Sequence, residues 1–240
     1  GVQEIYHLAC PTSVKNFDQF RMDTLLANCV GTRHALDLAV KHKAKFVFAS
    51  SSVVYGPRRP DGLPFREDDI GAVNHLTPRG CYDEGKRFGE TMVQTYADVY
   101  GLDAKNARIF RTYGPRQRLF DGELFSDFII NAIDGEKLTI YGDESFATSL
   151  TYVGDIVATI LALLEGRSAP PVVNVCSGVP TTLLETCRII AQAMGKTIEP
   201  KVVGGFRPGD MRHCLGDPGM VAKILGRPPL GFAQGAPLVF

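Results

Sequence analysis

Short apolar segments that have the character of buried strands alternate with helical segments along most of this chain. The clearest strand is the Phe-Val-Phe run within residues 45–50, which lies between helical patterns at 23–42 and 79–100. Strands that alternate with helices predict an α/β fold with a doubly wound parallel sheet. Further strands are predicted at 5–9, 104–110, 137–141, 172–176 and 201–203, and further helices at 124–134, 154–165 and 182–194.

The glycine-rich turn that usually opens a nucleotide-binding sheet of this kind does not occur in the sequence. Such a sheet normally begins with a strand, a Gly-x-x-Gly-x-x-Gly turn and a helix whose N-terminus binds a pyrophosphate. The first predicted strand, at 5–9, therefore corresponds to the fourth strand of the sheet. We expect a Rossmann-type fold that lacks its N-terminal Gly-rich βαβ portion.

The composition excludes several classes of function. Lysine plus arginine and aspartate plus glutamate balance at 26 each, so no surface for nucleic acid is expected. No apolar run approaches the roughly 20 residues of a membrane helix, and the N-terminus has no signal-like core. The six cysteines are scattered and the five histidines show no ligand spacing. These features predict a cytoplasmic protein with no metal site and no contact with a membrane.

Tyr82 and Lys86 are four residues apart in the predicted helix 79–100, so their side chains share one face. A phenol with a pKa of about 10 is a poor base at neutral pH, and a nearby cation favours the phenolate. Ser51 or Ser52 ends a strand that faces this helix, and either hydroxyl would complete a proton relay for oxidising an alcohol. Tyr-x-x-x-Lys also occurs by chance, but its position after a buried strand that ends in three serines favours the catalytic interpretation.

A set of sequence segments resembles the extended short-chain dehydrogenase/reductase family of nucleotide-sugar enzymes. The segments keep the family order from about residue 5 to 225, and Cys-Tyr-Asp-Glu-Gly-Lys-Arg at 81–87 is most similar to the UDP-glucuronate decarboxylases. The matching segments are 7–13, 28–32, 49–56, 78–87, 108–116, 138–142, 152–155 and 208–213.

The resemblance implies a tightly bound NAD that is reduced and reoxidised within one turnover. It implies that Tyr82 takes the proton of the sugar 4-hydroxyl, that Lys86 lowers the pKa of this tyrosine and holds the nicotinamide ribose, and that Ser51 hydrogen-bonds the substrate oxygen. In a glucuronate the resulting 4-keto group is β to the carboxylate, so CO2 is lost easily. The implied reaction is the conversion of UDP-glucuronate to UDP-xylose, with the protein supplying alignment and electrostatics.

The resemblance also implies binding residues and an assembly. Tyr141 is expected to face the uracil ring and Arg212 the diphosphate. The helices at 23–42 and 79–100 are expected to form a homodimer interface. The implied cofactor-binding residues are Leu8, Ala9, Cys10, Asn28, Ser50, Tyr82 and Lys86. The implied substrate-binding residues are Ser52, Arg111, Arg116, Thr139, Tyr141 and Arg212.

Two regions of the chain have different implied roles. Residues 1–115 are expected to be the remainder of the dinucleotide-binding domain. Residues 116–240 are expected to form mainly a smaller lobe that binds the sugar nucleotide, with about 150–178 returning to the sheet. Without the Gly-rich portion, we expect this chain alone not to turn over substrate.

Three positions depart from the decarboxylase pattern, which leaves more than one function open. Val53 stands in place of a glutamate, Arg111 in place of an asparagine, and Thr148 in place of an arginine. Val53 cannot act as an acid or base, and a small apolar residue here is similar to what the 4-epimerases have. The hypotheses are therefore a decarboxylase, a nucleotide-sugar 4-epimerase, and a catalytically silent relative that binds a sugar nucleotide.

Overall fold

The fold was analysed in a computed structural model. It describes residues 1–12, 19–120, 123–141, 146–166, 169–198, 200–204 and 214–239. The strands are β1 (Glu4–His7), β2 (Lys45–Ser51), β3 (Ala104–Ile109), β4 (Thr112–Tyr113), β5 (Leu138–Tyr141), β6 (Ala147–Ser149), β7 (Thr151–Tyr152), β8 (Val172–Val175), β9 (Pro180–Thr182) and β10 (Pro200–Val203). The α-helices are α1 (Arg21–Leu26), α2 (Thr32–His42), α3 (Gly80–Tyr100), α4 (Leu124–Asp134), α5 (Val153–Glu165), α6 (Leu183–Ala193), α7 (Gly219–Leu225) and α8 (Phe232–Gly235).

Four parallel strands form the main sheet, in the order β1-β2-β3-β8. The predicted α/β class with a parallel sheet is confirmed. Side chains of β2 alternate between the two faces of this sheet. Phe46 and Phe48 pack with α2 and α3, whereas Val47 packs on the opposite face with α5 and α7. Helices on both faces explain why residues 46–49 of this strand are apolar at successive positions.

A second apolar cluster is built from residues between 113 and 239. It packs α4, α6 and α8 against β5, which pairs in parallel with β10. Phe125, Phe128, Ile140 and Phe232 are fully buried in it. The strand β8 pairs with β3 in the main sheet, while the predicted division at residue 115 stays a prediction.

The helix predicted at 23–42 is divided in the structure. A π-helical turn, Ala27–Gly31, separates α1 from α2. The amide Nδ2 of Asn28 donates to the carbonyl oxygen of Thr24, 3.0 Å away. This side-chain bond competes for the carbonyl that a regular helix would offer to a backbone N–H, and it accounts for the local widening.

The helix α3 approaches β2 and the π-helical turn more closely than any side chain at two of its positions would allow. A Cβ at Gly89 would lie 2.5 Å from Cζ of Phe48, and one at Gly85 would lie 2.9 Å from Nδ2 of Asn28. Both values are below van der Waals contact. Gly89 therefore sets the distance between the helix and the strand, and Gly85 sets the distance between the helix and the π-helical turn.

The described part of the chain contains no helix that is long and apolar enough to cross a membrane. Within those same residues, histidine, cysteine, aspartate and glutamate side chains form no group of three or more that is suited to a metal ion.

We expect Gly89→Ala to lower the free energy of unfolding by about 1–3 kcal/mol, because overpacking forces the helix or the ring of Phe48 to move. Urea denaturation followed by circular dichroism measures this change. Gln94→Ala, on an exposed position of α3, is the control and should stay within about 0.5 kcal/mol of the parent. An equal effect of both substitutions would show that close packing at Gly89 is not required.

Candidate active site

Ser51, Tyr82 and Lys86 meet at the carboxyl end of β2. Ser51 is the last residue of this strand, and its Oγ accepts a 3.4 Å hydrogen bond from the backbone N–H of Val53, which begins the next turn. Tyr82 and Lys86 lie on consecutive turns of α3, and Tyr82 is hydrogen-bonded to Ser51. The structure thus brings together the three residues that the sequence predicted as catalytic, while their roles stay predictions.

The ammonium group of Lys86 is buried against the strand. Its Nζ donates to the carbonyl oxygen of Ala49 at 2.8 Å. It lies 4.8 Å from the ring centroid of Phe48 and 5.6 Å from that of Tyr82. Burial lowers the pKa of Lys86, because the charged form loses its hydration.

The pKa of Tyr82 is raised by burial, and the hydrogen bond from Ser51 and the charge of Arg79 act against this increase. Arg79 is a residue that the sequence argument missed. Its guanidinium pairs with the buried Asp83, with Nη2 3.2 Å from Oδ1. The signal for it was the i, i+4 spacing of opposite charges around Tyr82. The predicted influence of Lys86 on the pKa of Tyr82 stays a prediction.

The predicted cofactor-binding residues at the end of β1 line an open edge of the sheet. Leu8 is 57% exposed and Ala9 is also exposed. The Sγ of Cys10 accepts a 3.0 Å hydrogen bond from Nδ2 of Asn28, while Oδ1 of the same fully buried amide has no partner among the described residues. Ligands of parallel α/β sheets bind at this carboxyl edge, so the exposed apolar strand end and the unsatisfied amide oxygen fit a bound dinucleotide.

The neighbouring serines are buried. The hydroxyl of Ser50 donates to the carboxylate of Glu90 on α3, so this side chain faces the helix. The carbonyl oxygen of Ser52 accepts a bond from Sγ of Cys214 at 3.4 Å. A contact of Ser50 with a cofactor and of Ser52 with a substrate both stay predictions.

The predicted substrate arginines lie in different settings. Arg111 is half-buried beyond the end of β3, and its carbonyl oxygen accepts a 2.8 Å bond from the N–H of Thr151. Arg116 is exposed in a turn with a positive φ of 65°. Arg212 lies outside the described residues. Arg111 and Arg116, the two that the structure describes, therefore differ in exposure.

Thr139 and Tyr141, both predicted to bind substrate, line a cavity of about 300 Å³ between β5 and α4. Tyr141 is 36% exposed. One wall of the cavity, formed by α4, was not predicted from the sequence; it presents Asp127 and Asn131 one turn apart. An aromatic ring beside a few polar groups suits a planar, hydrogen-bonding ligand. The full lining is Phe120, Asp127, Phe128, Ile130, Asn131, Thr139 and Tyr141.

Two of the three positions that depart from the decarboxylase pattern, Val53 and Thr148, have uncharged side chains. Val53 is buried in the turn that follows β2. Thr148 is 1% exposed in β6, and its Oγ1 has no hydrogen-bond partner among the described residues. Neither side chain can act as an acid or base or bind an anion by charge.

The chain is similar to curated enzymes along most of its length. It is 40% identical over 194 residues to UDP-glucuronic acid decarboxylase 1 of Xenopus tropicalis, which covers 81% of this chain and 45% of that protein. It is 36% identical over 239 residues to UDP-glucuronic acid decarboxylase 3 of Arabidopsis thaliana, covering 99% of this chain and 69% of that protein. The chain thus spans a little under half of the first relative and about two thirds of the second.

Solved structures share the fold. A UDP-N-acetylglucosamine 4-epimerase from Methanobrevibacter ruminantium M1 superimposes with a TM-score of 0.87 at 26% identity, covering 99% of this chain and 75% of that one. A Thermus thermophilus UDP-glucose 4-epimerase in complex with NAD gives a TM-score of 0.83 at 27% identity, covering 99% of this chain and 76% of that one.

The sequence model of the NAD dependent epimerase/dehydratase family matches residues 1–176, which is more than half of the chain. This match includes the strand β2, the helix α3 and the site between them. The resemblance drawn from the sequence is confirmed, and the chain belongs to the NAD dependent epimerase/dehydratase family.

Proposed function

We propose that the protein containing this chain is an NAD-dependent nucleotide-sugar enzyme that decarboxylates UDP-glucuronate to UDP-xylose. The observation that carries a redox step on an alcohol is the meeting of Ser51, Tyr82 and Lys86 at the carboxyl edge of a parallel sheet. The choice of a decarboxylase is supported by relatives of that name, at 40% and 36% identity.

NAD fits the edge formed by Leu8, Ala9, Cys10 and the buried amide of Asn28. When bound, NAD would accept a hydride from C4 of the sugar and later return it. In the proposed arrangement, the ammonium of Lys86 holds the ribose hydroxyl groups from the strand side, where Ala49 fixes its position. A buried ammonium with few alternative partners is a well-oriented donor.

The chemistry of this chain's own residues begins with the sugar 4-hydroxyl. Tyr82 accepts its proton as the phenolate, and the hydroxyl of Ser51 hydrogen-bonds the same substrate oxygen. The guanidinium of Arg79 and the hydrogen bond from Ser51 both favour the phenolate against the cost of burial. Burial makes Tyr82 difficult to ionise, so in this mechanism it acts as a base only when Ser51 and Arg79 are both in position beside it.

Carbon dioxide is then lost from the 4-keto glucuronate, whose carboxylate is β to the ketone. The electron pair of the broken bond moves into an enolate on O4, where Ser51 and the now protonated Tyr82 donate hydrogen bonds to it. Protonation of C5, the adjacent carbon, gives the 4-keto pentose, and the pentose would form when the cofactor supplies the hydride back to C4 and Tyr82 returns its proton to O4. Val53 is apolar and cannot donate this proton.

The nucleobase is proposed to occupy the cavity between β5 and α4. The ring of Tyr141 offers a stacking surface, while Thr139 and Asn131 offer hydrogen-bonding groups to a pyrimidine edge. This places the base on the lobe and the sugar toward β2, as the implied roles of the two regions require.

Nucleotide-sugar 4-epimerase is the second candidate. It uses the same oxidation at C4 but returns the hydride to the opposite face of the ketone. It is favoured by Val53, which is apolar where the decarboxylases have a glutamate, whereas Thr148 in place of an arginine supports the silent relative. A catalytically silent relative that binds a sugar nucleotide is the third hypothesis.

We further propose a cytoplasmic homodimer. Apolar side chains on α1, α2 and α3 remain exposed, and a second copy would cover them. All six cysteines are free thiols, which suits a reducing compartment. The exposed apolar residues are Met22, Leu26, Leu38, Phe88 and Val99.

The deciding experiment uses the full-length protein with NAD and UDP-glucuronate. The sugar-nucleotide product is identified by NMR, and CO2 release is measured in parallel. UDP-xylose with CO2 supports the decarboxylase, and UDP-galacturonate without CO2 transfers the assignment to the epimerase. Absence of any product would mean either a different sugar nucleotide or the silent relative, and tightly bound NAD in the purified protein would favour an enzyme that acts on another sugar nucleotide.

Tyr82→Phe should lower kcat by about 10²–10⁴-fold, because it removes the proton acceptor while keeping the ring. Tyr100→Phe, at an exposed position on the same helix, serves as the control and should retain the parental kcat. Steady-state rates with UDP-glucuronate measure both. A Tyr82→Phe variant with more than a tenth of the parental kcat would contradict the role of Tyr82 as the base.

Lys86→Met should raise the free energy of unfolding at neutral pH even though it abolishes turnover. Burial lowers the pKa of Lys86 below 10.5, so the unfolded chain binds this proton more tightly than the folded chain does. The ammonium therefore opposes folding at neutral pH, and the penalty fades as the pH rises through the ordinary lysine pKa, where both states become neutral.

Thermal denaturation at several pH values measures this effect, with the exposed Lys41→Met as the control that should show no gain. A Lys86→Met variant that is less stable than the parent would show that the bond to Ala49 and the contact with Phe48 outweigh the cost of burial.

Tyr141→Ala should weaken the binding of UDP by about tenfold or more, since stacking of a base on an aromatic ring contributes about 1–3 kcal/mol. Tyr141→Phe keeps the ring and should bind UDP almost as the parent does. Isothermal titration calorimetry with UDP compares the three proteins. Unchanged binding by Tyr141→Ala would place the nucleobase outside this cavity.

A further inference from the structure

Three side chains on successive turns of α3 each hold one residue at the end of β2. Tyr82 is hydrogen-bonded to Ser51, and Lys86 donates to the carbonyl oxygen of Ala49. Glu90, one turn further along the helix, accepts a hydrogen bond from the hydroxyl of Ser50. The spacing of four residues puts all three on one face of the helix.

The carboxylate of Glu90 is held from a second direction by Arg108 of β3. The Nε of Arg108 lies 2.9 Å from Oε1, and its Nη2 lies 2.8 Å from Oε2. Both side chains are 13% exposed. A bidentate pair with so little solvent fixes the direction of the carboxylate, because neither partner can turn to water instead.

Arg108 is itself anchored beyond this pair. Its Nη1 donates to the hydroxyl of Tyr55 at 2.7 Å and to the carbonyl oxygen of Glu67 at 3.0 Å. The hydroxyl of Tyr55 in turn donates to Oδ1 of Asn174 in β8, 2.7 Å away. Glu90 is therefore connected to two further strands of the sheet, β3 and β8.

We propose that Glu90 is a positioning residue of the active site, which sets the height of α3 along β2 through Ser50 and so holds Tyr82 in hydrogen-bond reach of Ser51. The inference rests on the proposed function for its kinetic test. Glu90 is a positioning residue rather than a catalytic one, because its carboxylate is occupied by Ser50 and Arg108.

The need for such a residue follows from the roles of the other two contacts. In the proposed mechanism, Tyr82 changes its protonation state and Lys86 exchanges hydrogen bonds with a ligand, so neither contact keeps a constant geometry through turnover. The bond between Glu90 and Ser50 takes no part in the chemistry. A misplacement of about 1 Å between reacting groups can cost on the order of 10²-fold in rate, so a constant third contact is valuable.

The test compares Glu90→Gln with Glu84→Gln in the full-length protein. An amide at position 90 would turn its NH2 group toward a donor of Arg108 in either orientation, because both carboxylate oxygens accept from that guanidinium, so one of the two bonds that fix Glu90 must be lost. Glu84 lies on the same helix, but its side chain is 39% exposed and its ion pair with Arg87 is long, at 3.8 Å. Such an exposed pair contributes little to stability, so Glu84→Gln is the matched control.

We expect Glu90→Gln to lower kcat by about 10- to 100-fold with KM within twofold of the parent, and Glu84→Gln to change neither. The acid limb of the kcat–pH profile should move to higher pH, because a weakened bond from Ser51 stabilises the phenolate of Tyr82 less. The other charged or titratable groups that act on Tyr82 are Cys10, Arg79 and Asp83, with Lys86 nearby, and both substitutions leave them in place. A loss of folded protein alone would lower kcat without moving the profile, and that outcome overturns the proposal.

Ser50→Ala provides a second variant that keeps the buried pair of Glu90 and Arg108 intact. It should reproduce the loss of kcat and the pH shift with normal thermal stability and bound NAD. The kcat of the double variant Glu90→Gln/Ser50→Ala should be no lower than that of Glu90→Gln, since both substitutions disrupt the same contact between Glu90 and Ser50. Additive losses would overturn the proposal.

Hydrogen exchange separates this inference from the proposed function. If the parent protein turns over no sugar nucleotide, the proposed function fails, but the structural claim is still decided. Glu90→Gln and Ser50→Ala should then both speed amide exchange at residues 50–55 by tenfold or more, and Glu84→Gln should not. Unchanged exchange in the first two variants would show that Glu90 does not hold β2.

Discussion

The close packing of α3 against β2 is the constraint on which the candidate site depends. Gly89 allows a distance between α3 and β2 that any Cβ would prevent, Gly85 does the same between α3 and the π-helical turn, and at this distance Lys86 reaches the carbonyl oxygen of Ala49. A wider spacing would leave this ammonium without its partner and would separate Tyr82 from Ser51. Two residues without side chains thus determine where the chemically active side chains can meet.

Charge is concentrated at this junction, where it is expensive to bury. Burial removes the hydration of Lys86 and lowers its pKa, and among the described residues no carboxylate pairs with it. Arg108 with Glu90 and Arg79 with Asp83 are paired instead, so their mutual attraction offsets part of the desolvation. An unpaired cation next to paired ones is typical of a functional site, because stability alone would favour an apolar residue there.

The sequence was sufficient to predict the strands β1, β2, β3, β5, β8 and β10 and the shared face of Tyr82 and Lys86, because both depend on local patterns. The apolar run at 45–50 and the i, i+4 spacing of Tyr82 and Lys86 depend on periodicity, which one segment contains by itself. The division of the helix at 23–42 was not predictable, because it depends on a side-chain bond from Asn28 to Thr24. The same holds for β4, β6, β7 and β9, which are too short to have a pattern.

Long-range partners explain what else escaped prediction. Glu90 and Arg108 are 18 residues apart in the chain, and neither carries a motif, so their pairing appears only after β3 is placed beside β2. The helical wall of the cavity was missed for a related reason: Asp127 and Asn131 resemble ordinary surface residues of α4 until β5 is packed against them. The residue pattern of a segment predicts whether that segment is a helix or a strand, but it does not show which other segments will pack against it.

The two leading functions differ only after the ketone has formed, which limits what the shared site can decide. In the proposed roles, Ser51, Tyr82 and Lys86 would serve the oxidation at C4 equally well in a decarboxylase and in an epimerase. The outcome then depends on whether the sugar carboxylate is held where its C–C bond lies perpendicular to the ketone plane, or whether the ring turns over before reduction. Val53 and Thr148 are uncharged and buried, so neither orients that carboxylate by an ion pair. In the proposed mechanism an ion pair to that carboxylate would need a cation at another position, and the charge of Arg111, half-buried beyond the end of β3, suits that role.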